Sequence, residues 1–345
     1  MNWFHYKGDF SLESGSVLPG FTLCYHTYGQ LNAAKDNVIW ICHALTASSD
    51  VESWWPELVG DGLTFDTNRY FVVCVNIIGS CYGSTGPLSL NPLTNKPYYH
   101  DFPFITIRDM VGTYLLLVEE LGISKIQLLV GGSMGGYQAL EWAIAQPSLI
   151  GQLFLLVTSA RESSWRIAIH TAQRMAIEAD GTFKESFDRA GEKGLKAARA
   201  IGMLTYRNPH IYEDKQRDED TNKLDHFRAS SYIEYQGNKL AKRFNAYSYW
   251  VLTKAMDTHN LARSRNKTME EMLQNISQRT LIIGIETDIL CPIHEQQYLA
   301  DHMPDAELVV IHSEYGHDGF LTEKKHIEEH VSRWLKHDTT MKEIQ

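Results

Sequence analysis

The sequence predicts an α/β protein: a mostly parallel sheet with helices on both faces, interrupted by an inserted α-helical segment. Three observations carry this. Short Val/Ile/Leu-rich runs of strand length recur along the chain, helix-like segments separate several of them, and the rhythm stops between about Arg161 and Met272. Apolar runs with little polar alternation are what strands covered on both faces require. Strands alternating with helices are joined by crossovers, which leave the strands parallel.

In chain order the runs NVIWICHAL (37–45) and YFVVCVNII (70–78) read as strands, and MVGTYLLLVEELG (110–122) as a helix. KIQLLVGG (125–132) is a strand, YQALEWAIAQ (137–146) a helix, and QLFLLVTS (152–159) a further strand. Then come three helical, charged stretches: ESSWRIAIHTAQRMAIEAD, EKGLKAARAIGMLTY and SYIEYQGNKLAKRFNAYSYWVLTKAMD. Between the last two lies EDKQRDEDTNKLD (213–225), too charge-dense to pack, which reads as a solvated loop. The sheet resumes with TLIIGIETD (280–288) and ELVVIHS (307–313). The expected organisation is therefore a core of residues 1–160 and 273–345, with 161–272 inserted as a helical lid.

Bulk properties narrow the functions. The chain has 345 residues, enough for a large core, with 43% hydrophobic and 21% charged residues, as in a soluble globular protein. A formal net charge of −10 argues against a nucleic-acid or anionic-membrane surface, both of which need clustered cations. The five cysteines are scattered, with no CxxC and no zinc-like Cys/His spacing. Cys24, Cys42 and Cys74 sit in apolar runs and read as small core residues with reduced thiols. The N-terminus MNWFHYKGDF has no signal-peptide pattern, and no apolar run approaches the ~18 residues of a membrane span. A cytoplasmic protein is expected.

One stretch carries the chemistry. In LLVGGSMGGYQALEWA (128–143) an apolar strand drives into glycines around a single serine and continues as a helix. Gly131–Gly135 match G-x-S-x-G between strand and helix, the setting of a nucleophile elbow, where the serine takes a strained turn and glycines let the backbones close up. A phosphate loop would need G-K-[ST], and the spacing does not fit G-x-G-x-x-G. Ser133 is therefore the candidate nucleophile. Such a serine needs a base and an orienting acid, in the order Ser, Asp/Glu, His. Asp288 ends one strand run, and His317 follows another in SEYGHDGF. Both fall where an open α/β sheet builds its site. Glu286 and His312 are rivals for acid and base, His312 falling within the strand run as a structural histidine. The oxyanion donors expected are the backbone N–H groups of Met134 and of Leu45, in the loop ICHALTASS (41–49). His43 in that loop is expected to position backbone. No metal is implied.

Beyond these residues, the chain resembles the homoserine O-acetyltransferase family of acyl-CoA-dependent α/β-hydrolase-fold enzymes. The likeness runs in order through HALTA (43–47), NIIGSCYGSTGP (76–87), FPFITIRDMV (102–111), GGSMGGYQALEWA (131–143), AARAIGMLTYR (197–207), YQGNKLAKRF (235–244), TDILCP (287–292) and YGHDGF (315–320). It implies the triad Ser133, Asp288 and His317, and acceptor binding by Arg199, Tyr206 and Asp318. The arginine would pair the acceptor carboxylate and the aspartate its ammonium. It also implies acetyl-CoA as co-substrate, L-homoserine as acceptor, a ping-pong acyl-serine mechanism and a homodimer joined through the lid. Members of the wider family use succinyl-CoA or acylate serine, and a serine esterase would share fold and triad. Arg199 and Asp318 distinguish the transferase, because an esterase has no zwitterion to hold.

Overall fold

The computed structural model describes residues 1–337. Eight strands form one sheet: β1 (Asn2–Ser11), β2 (Val17–Tyr28), β3 (Val38–Cys42), β4 (Phe71–Val75), β5 (Ile126–Gly132), β6 (Ile150–Leu156), β7 (Arg279–Ile285) and β8 (Ala306–Ile311). Their spatial order is β1-β2-β4-β3-β5-β6-β7-β8. From β4 to β8 every neighbour is parallel, as expected, whereas β1 and β2 add an antiparallel edge. The continuous apolar runs did not reveal that edge. β1 alternates half-buried and exposed residues, the signature of a strand covered on one face only.

The central strands explain the sheet's stability. All five residues of β3 are buried, as are six of the seven in β5 and in β7. Two apolar layers sandwich the sheet. One centres on Trp40, Tyr114 and Trp142 under the helices α1 (Ile107–Leu121) and α2 (Met134–Ala145). The other holds Trp55, Phe154, Phe320 and Trp334. Trp40 packs edge-on against Trp142 at 4.9 Å, and burying rings of this size removes ~150–250 Å² each from water.

Between β6 and β7 the described chain gives the sheet no strand. It forms helices α3 (Ser164–Glu178), α4 (Glu192–Tyr206), α5 (Pro209–Gln216), α6 (Arg228–Ala241), α7 (Ala246–Asp257) and α8 (Met269–Gln274). The stretch expected as a loop at 213–225 begins inside α5, where Pro209 at the first turn and the Asn208 cap start a helix. The C-terminal helices are α9 (Ile293–His302) and α10 (Lys324–Lys336). The core segment expected over 273–345 is seen to residue 337, and 338–345 lie outside the described residues. All five cysteines are free, four of them buried. No helix among the described residues is long and apolar enough to cross a membrane.

Candidate active site

The strand ends put the site together. β5 ends at Gly132, and Ser133 caps α2 with φ 54° and ψ −123°, a conformation costing about 1–3 kcal/mol that the surroundings must hold. They hold it from both sides. The Ser133 N–H donates to Leu156 O at 2.9 Å, and the Thr158 hydroxyl donates to Ser133 O at 3.0 Å. The glycines have a steric reason: a Cβ on Gly131 would run into the Gly135 carbonyl, and one on Gly135 into the Cys42 carbonyl.

β7 ends at Ile285, three residues before Asp288, so the acid lies on the loop after the strand. Asp288 Oδ1 accepts from the N–H groups of Leu290 and Cys291, both at 2.8 Å. Its Oδ2 accepts from His317 Nδ1 at 2.6 Å. An ionised carboxylate can only accept, so the imidazole proton sits on Nδ1 and Nε2 is left as an acceptor. Ser133 Oγ lies 2.9 Å from Nε2, so its hydroxyl donates there. The three residues that chain order selected stand in one relay, with the acid side chain fully buried and the histidine 6% exposed.

Their rivals fall outside it. Glu286 and His312 pair with each other at 2.9 Å on the surface, each side chain 66% exposed. His312 follows β8 and is not a strand residue, because the strand ends at Ile311.

Met134 N–H is the first of α2 and has no intrahelical acceptor. Leu45 lines the cavity above Ser133. His43 braces that loop from below: its Nδ1 donates to Ala44 O at 2.8 Å and its Nε2 accepts from the Ile77 N–H at 3.3 Å. Burial pushes its pKa down to about 4, keeping the ring neutral. It positions backbone, as the sequence suggested.

The cavity holds about 490 Å³ and brings together Ser133 and His317 with Arg199, Tyr206 and Asp318. The Arg199 guanidinium lies over the Tyr206 ring at 5.2 Å, and its buried Nε has no hydrogen-bond partner among the described residues. Asp318 is engaged: Arg207 Nε donates to its Oδ2 at 2.8 Å, while the same guanidinium stacks on Tyr315 at 4.9 Å. Sequence reasoning missed Arg207. It also missed His170, Lys239 and Arg243 in the cavity wall. His170 is held through Nδ1 by Asp257 at 2.9 Å.

The lid is also tied to the loops that carry the acid and the base. Arg166 of α3, 2% exposed, pairs with Glu162 and Glu295 and donates to Ser159 Oγ at 2.6 Å and to Leu290 O at 3.3 Å, so it grips the loop that carries Asp288. Gly316, at φ 58°, meets the end of α4 and the residues after it. A Cβ there would lie 3.0 Å from Asn208 N and 3.2 Å from Tyr206 O.

This arrangement can activate a serine for attack on an acyl carbon and hold a zwitterion beside it. Comparison with known proteins places it. Residues 37–324 match the family model described as the α/β hydrolase fold. A homoserine O-acetyltransferase from Cyclobacterium marinum is 47% identical over 325 residues, covering 94% of this chain and 92% of that protein. The chain belongs to the homoserine O-acetyltransferase family. Within solved structures, the homoserine O-acetyltransferase of Bacillus anthracis superposes with a TM-score of 0.89 at 27% identity, covering 97% of this chain and 96% of that one. Esterase E22 reaches a TM-score of 0.88 at 25% identity, covering 97% and 99%. Proteins named as a transferase and as an esterase thus share this architecture.

Proposed function

We infer that the chain transfers an acetyl group to the hydroxyl of L-homoserine, giving O-acetyl-L-homoserine. One observation carries this reading: the Ser133–His317–Asp288 relay opens into a cavity that also presents Arg199 and Asp318, a cation and an anion matched to an amino-acid zwitterion.

The donor in this reading is acetyl-CoA, used as a co-substrate. Ser133 Oγ attacks the thioester carbonyl carbon while its proton passes to His317 Nε2, and Asp288 stabilises the imidazolium. The N–H groups of Leu45 and Met134 serve the oxyanion. Collapse breaks the C–S bond, and the CoA sulfur leaves with the proton from His317. The hydroxyl of homoserine then attacks the acetyl-serine carbonyl, giving its proton to His317. Collapse breaks the bond to Ser133 Oγ, which regains a proton from His317. Arg199 pairs the acceptor carboxylate, and the free Oδ1 of Asp318 the ammonium. The enzyme works in the cytoplasm as a homodimer joined through the lid, where Trp165, Met175, Leu204 and Tyr235 are each more than half exposed. Light scattering on the purified protein tests the dimer.

The activity test follows free thiol with acetyl-CoA or succinyl-CoA as donor, and homoserine, serine or water as acceptor. Acetyl-CoA with homoserine should be fastest. Thiol release as rapid without any amino-acid acceptor would make the protein a hydrolase.

A further inference from the structure

The acceptor accounts for only part of the cavity's charge. Three cationic side chains line it, Arg199, Lys239 and Arg243, against one carboxylate, Asp318, which Arg207 already holds. This excess stands in a chain whose net charge is −10. Homoserine brings a single carboxylate, and in the reading above Arg199 takes it. Lys239 and Arg243 are left over. Neither forms an ion pair among the described residues, although acidic side chains outnumber basic ones in the chain, 42 to 32.

Their placement gives the excess a direction. The helical turn of α6 continues past its last residue, with the Arg243 N–H donating to Leu240 O at 2.9 Å. Four residues apart on a helical turn, Lys239 and Arg243 stand on one face. Arg243 Nη1 donates to Thr46 O at 2.6 Å and also to the Tyr82 hydroxyl, which fixes the guanidinium against the loop next to Leu45. Lys239 is exposed one turn back along the helix. Lys239 and Arg243 both line the cavity and are both exposed, so they stand where it opens to solvent, and the arm of a thioester engaged at Ser133 runs out past them. Both face the cavity without a protein anion.

We propose that Lys239 and Arg243 form a rim that docks the phosphate end of a coenzyme A thioester. This rests on the acyl-transfer reading above. The arm of such a donor is long and uncharged, and its phosphates lie at the far end from the acyl group. Binding at that end lets the rim recognise the carrier while Ser133 and the oxyanion loop meet only the acyl group. A flexible lysine supplies a point charge for phosphate, and the remaining N–H groups of Arg243 supply directed donors. Unpaired cations at a cavity mouth also speed the arrival of an anionic donor, in a salt-dependent way.

Lys239 is the residue to change, because it is exposed and unpaired, whereas Arg243 also braces the Thr46 loop. The experiment compares kcat/KM for acetyl-CoA with that for S-acetyl-N-acetylcysteamine, a thioester without phosphates, at saturating homoserine. In Lys239→Glu the preference for acetyl-CoA should fall about 10-fold, the effect of losing ~1.4 kcal/mol from the charged end only. Lys239→Ala should fall less, and both variants should lose part of the wild-type salt dependence with acetyl-CoA. Equal loss with both thioesters, or no loss with either, overturns the rim. A change confined to succinyl-CoA relative to acetyl-CoA also overturns it, since the cations would then be reading an acyl carboxylate. Wild-type protein that is acetylated by the short thioester but not by acetyl-CoA would sink the coenzyme A reading itself, and the rim with it.

Discussion

The floor and the roof of the cavity are built on opposite principles. On the floor, each side-chain polar group of the relay has its partner within the protein: Asp288 takes two backbone N–H groups and the imidazole, and His317 takes the acid and the serine. On the roof, among the described residues, Arg199 Nε is buried without a partner and Lys239 and Arg243 have no carboxylate, while the Arg207–Asp318 pair is 14–19% exposed. A satisfied network keeps one geometry, whereas an unpaired buried polar group is costly until a ligand completes it. The difference teaches that the relay is fixed by the sheet and its loops, and that in the proposed reading the choice of substrate falls to the charged groups around the cavity's roof.

Four experiments test that division, taken from the largest effect down. Ser133→Ala should lower kcat by at least about 10⁴-fold with little change in melting temperature, since alanine carries the same backbone strain and loses only the hydroxyl. Mass spectrometry of the wild type mixed with acetyl-CoA alone should find the acetyl group on the peptide containing Ser133. Label on another residue would remove the floor from the mechanism.

Next comes the acid. Asp288→Asn should cost about 10³- to 10⁴-fold in kcat, because an amide N–H facing Nδ1 favours the wrong tautomer. Glu286→Gln should change little, as the only partner of its side chain among the described residues is the exposed His312. A larger loss in Glu286→Gln than in Asp288→Asn would reverse the assignment.

The roof is tested by Asp318→Asn. It should leave the first burst of CoA largely intact yet reduce kcat/KM for homoserine by roughly 30- to 4,000-fold, the equivalent of about 2–5 kcal/mol. Arg207→Met should give a milder version, about 5-fold, as befits a partly exposed pair. If both half-reactions suffer equally in Asp318→Asn, the aspartate supports His317 and belongs to the floor.

The smallest effect concerns pH. Burial holds the pKa of His43 near about 4 and that of His259 near about 3, against about 6.5 in an unfolded chain. Between those values the unfolded chain takes up protons that the folded one refuses. Stability is therefore complete above about pH 6.5 and declines as pH falls towards the folded values, at about 1.4 kcal/mol per pH unit for each histidine. Urea midpoints that stay level from pH 7 to pH 5 would show that these rings are not held neutral.

How much of this was legible follows the same division. The floor could be read because its residues sit at or just past the ends of apolar runs, and the fold itself converts that position into proximity. Asp288 and His317 are 29 residues apart, yet their strands are neighbours in register. The roof offers no such rule. Arg207 meets Asp318 across 111 positions, through the return of α4 over the base loop, and nothing local to Arg207 announces a carboxylate. Arg199 was found only through a family likeness. Nothing local marks Lys239 and Arg243 either, since four-residue spacing says they share a face without saying what that face overlooks. The antiparallel edge was legible in principle: the alternation of NWFHYKGDFS has period two, and a search for continuous apolar runs passes over it.

The contact at Gly316 has a mechanical consequence. At Gly316 the backbone of the lid meets the base loop with no side chain between them, so a β-carbon there would force its neighbours to shift by a few tenths of an ångström. Lifting residues 206–208 to house a bulkier acceptor would unload that contact and free the neighbouring His317 to drift from Ser133. Extra room must therefore be made on the other side of the cavity, where Arg199, Ile169 and Met256 line the wall. Any residue larger than glycine at position 316 acts as a shim that tilts the roof and the base together.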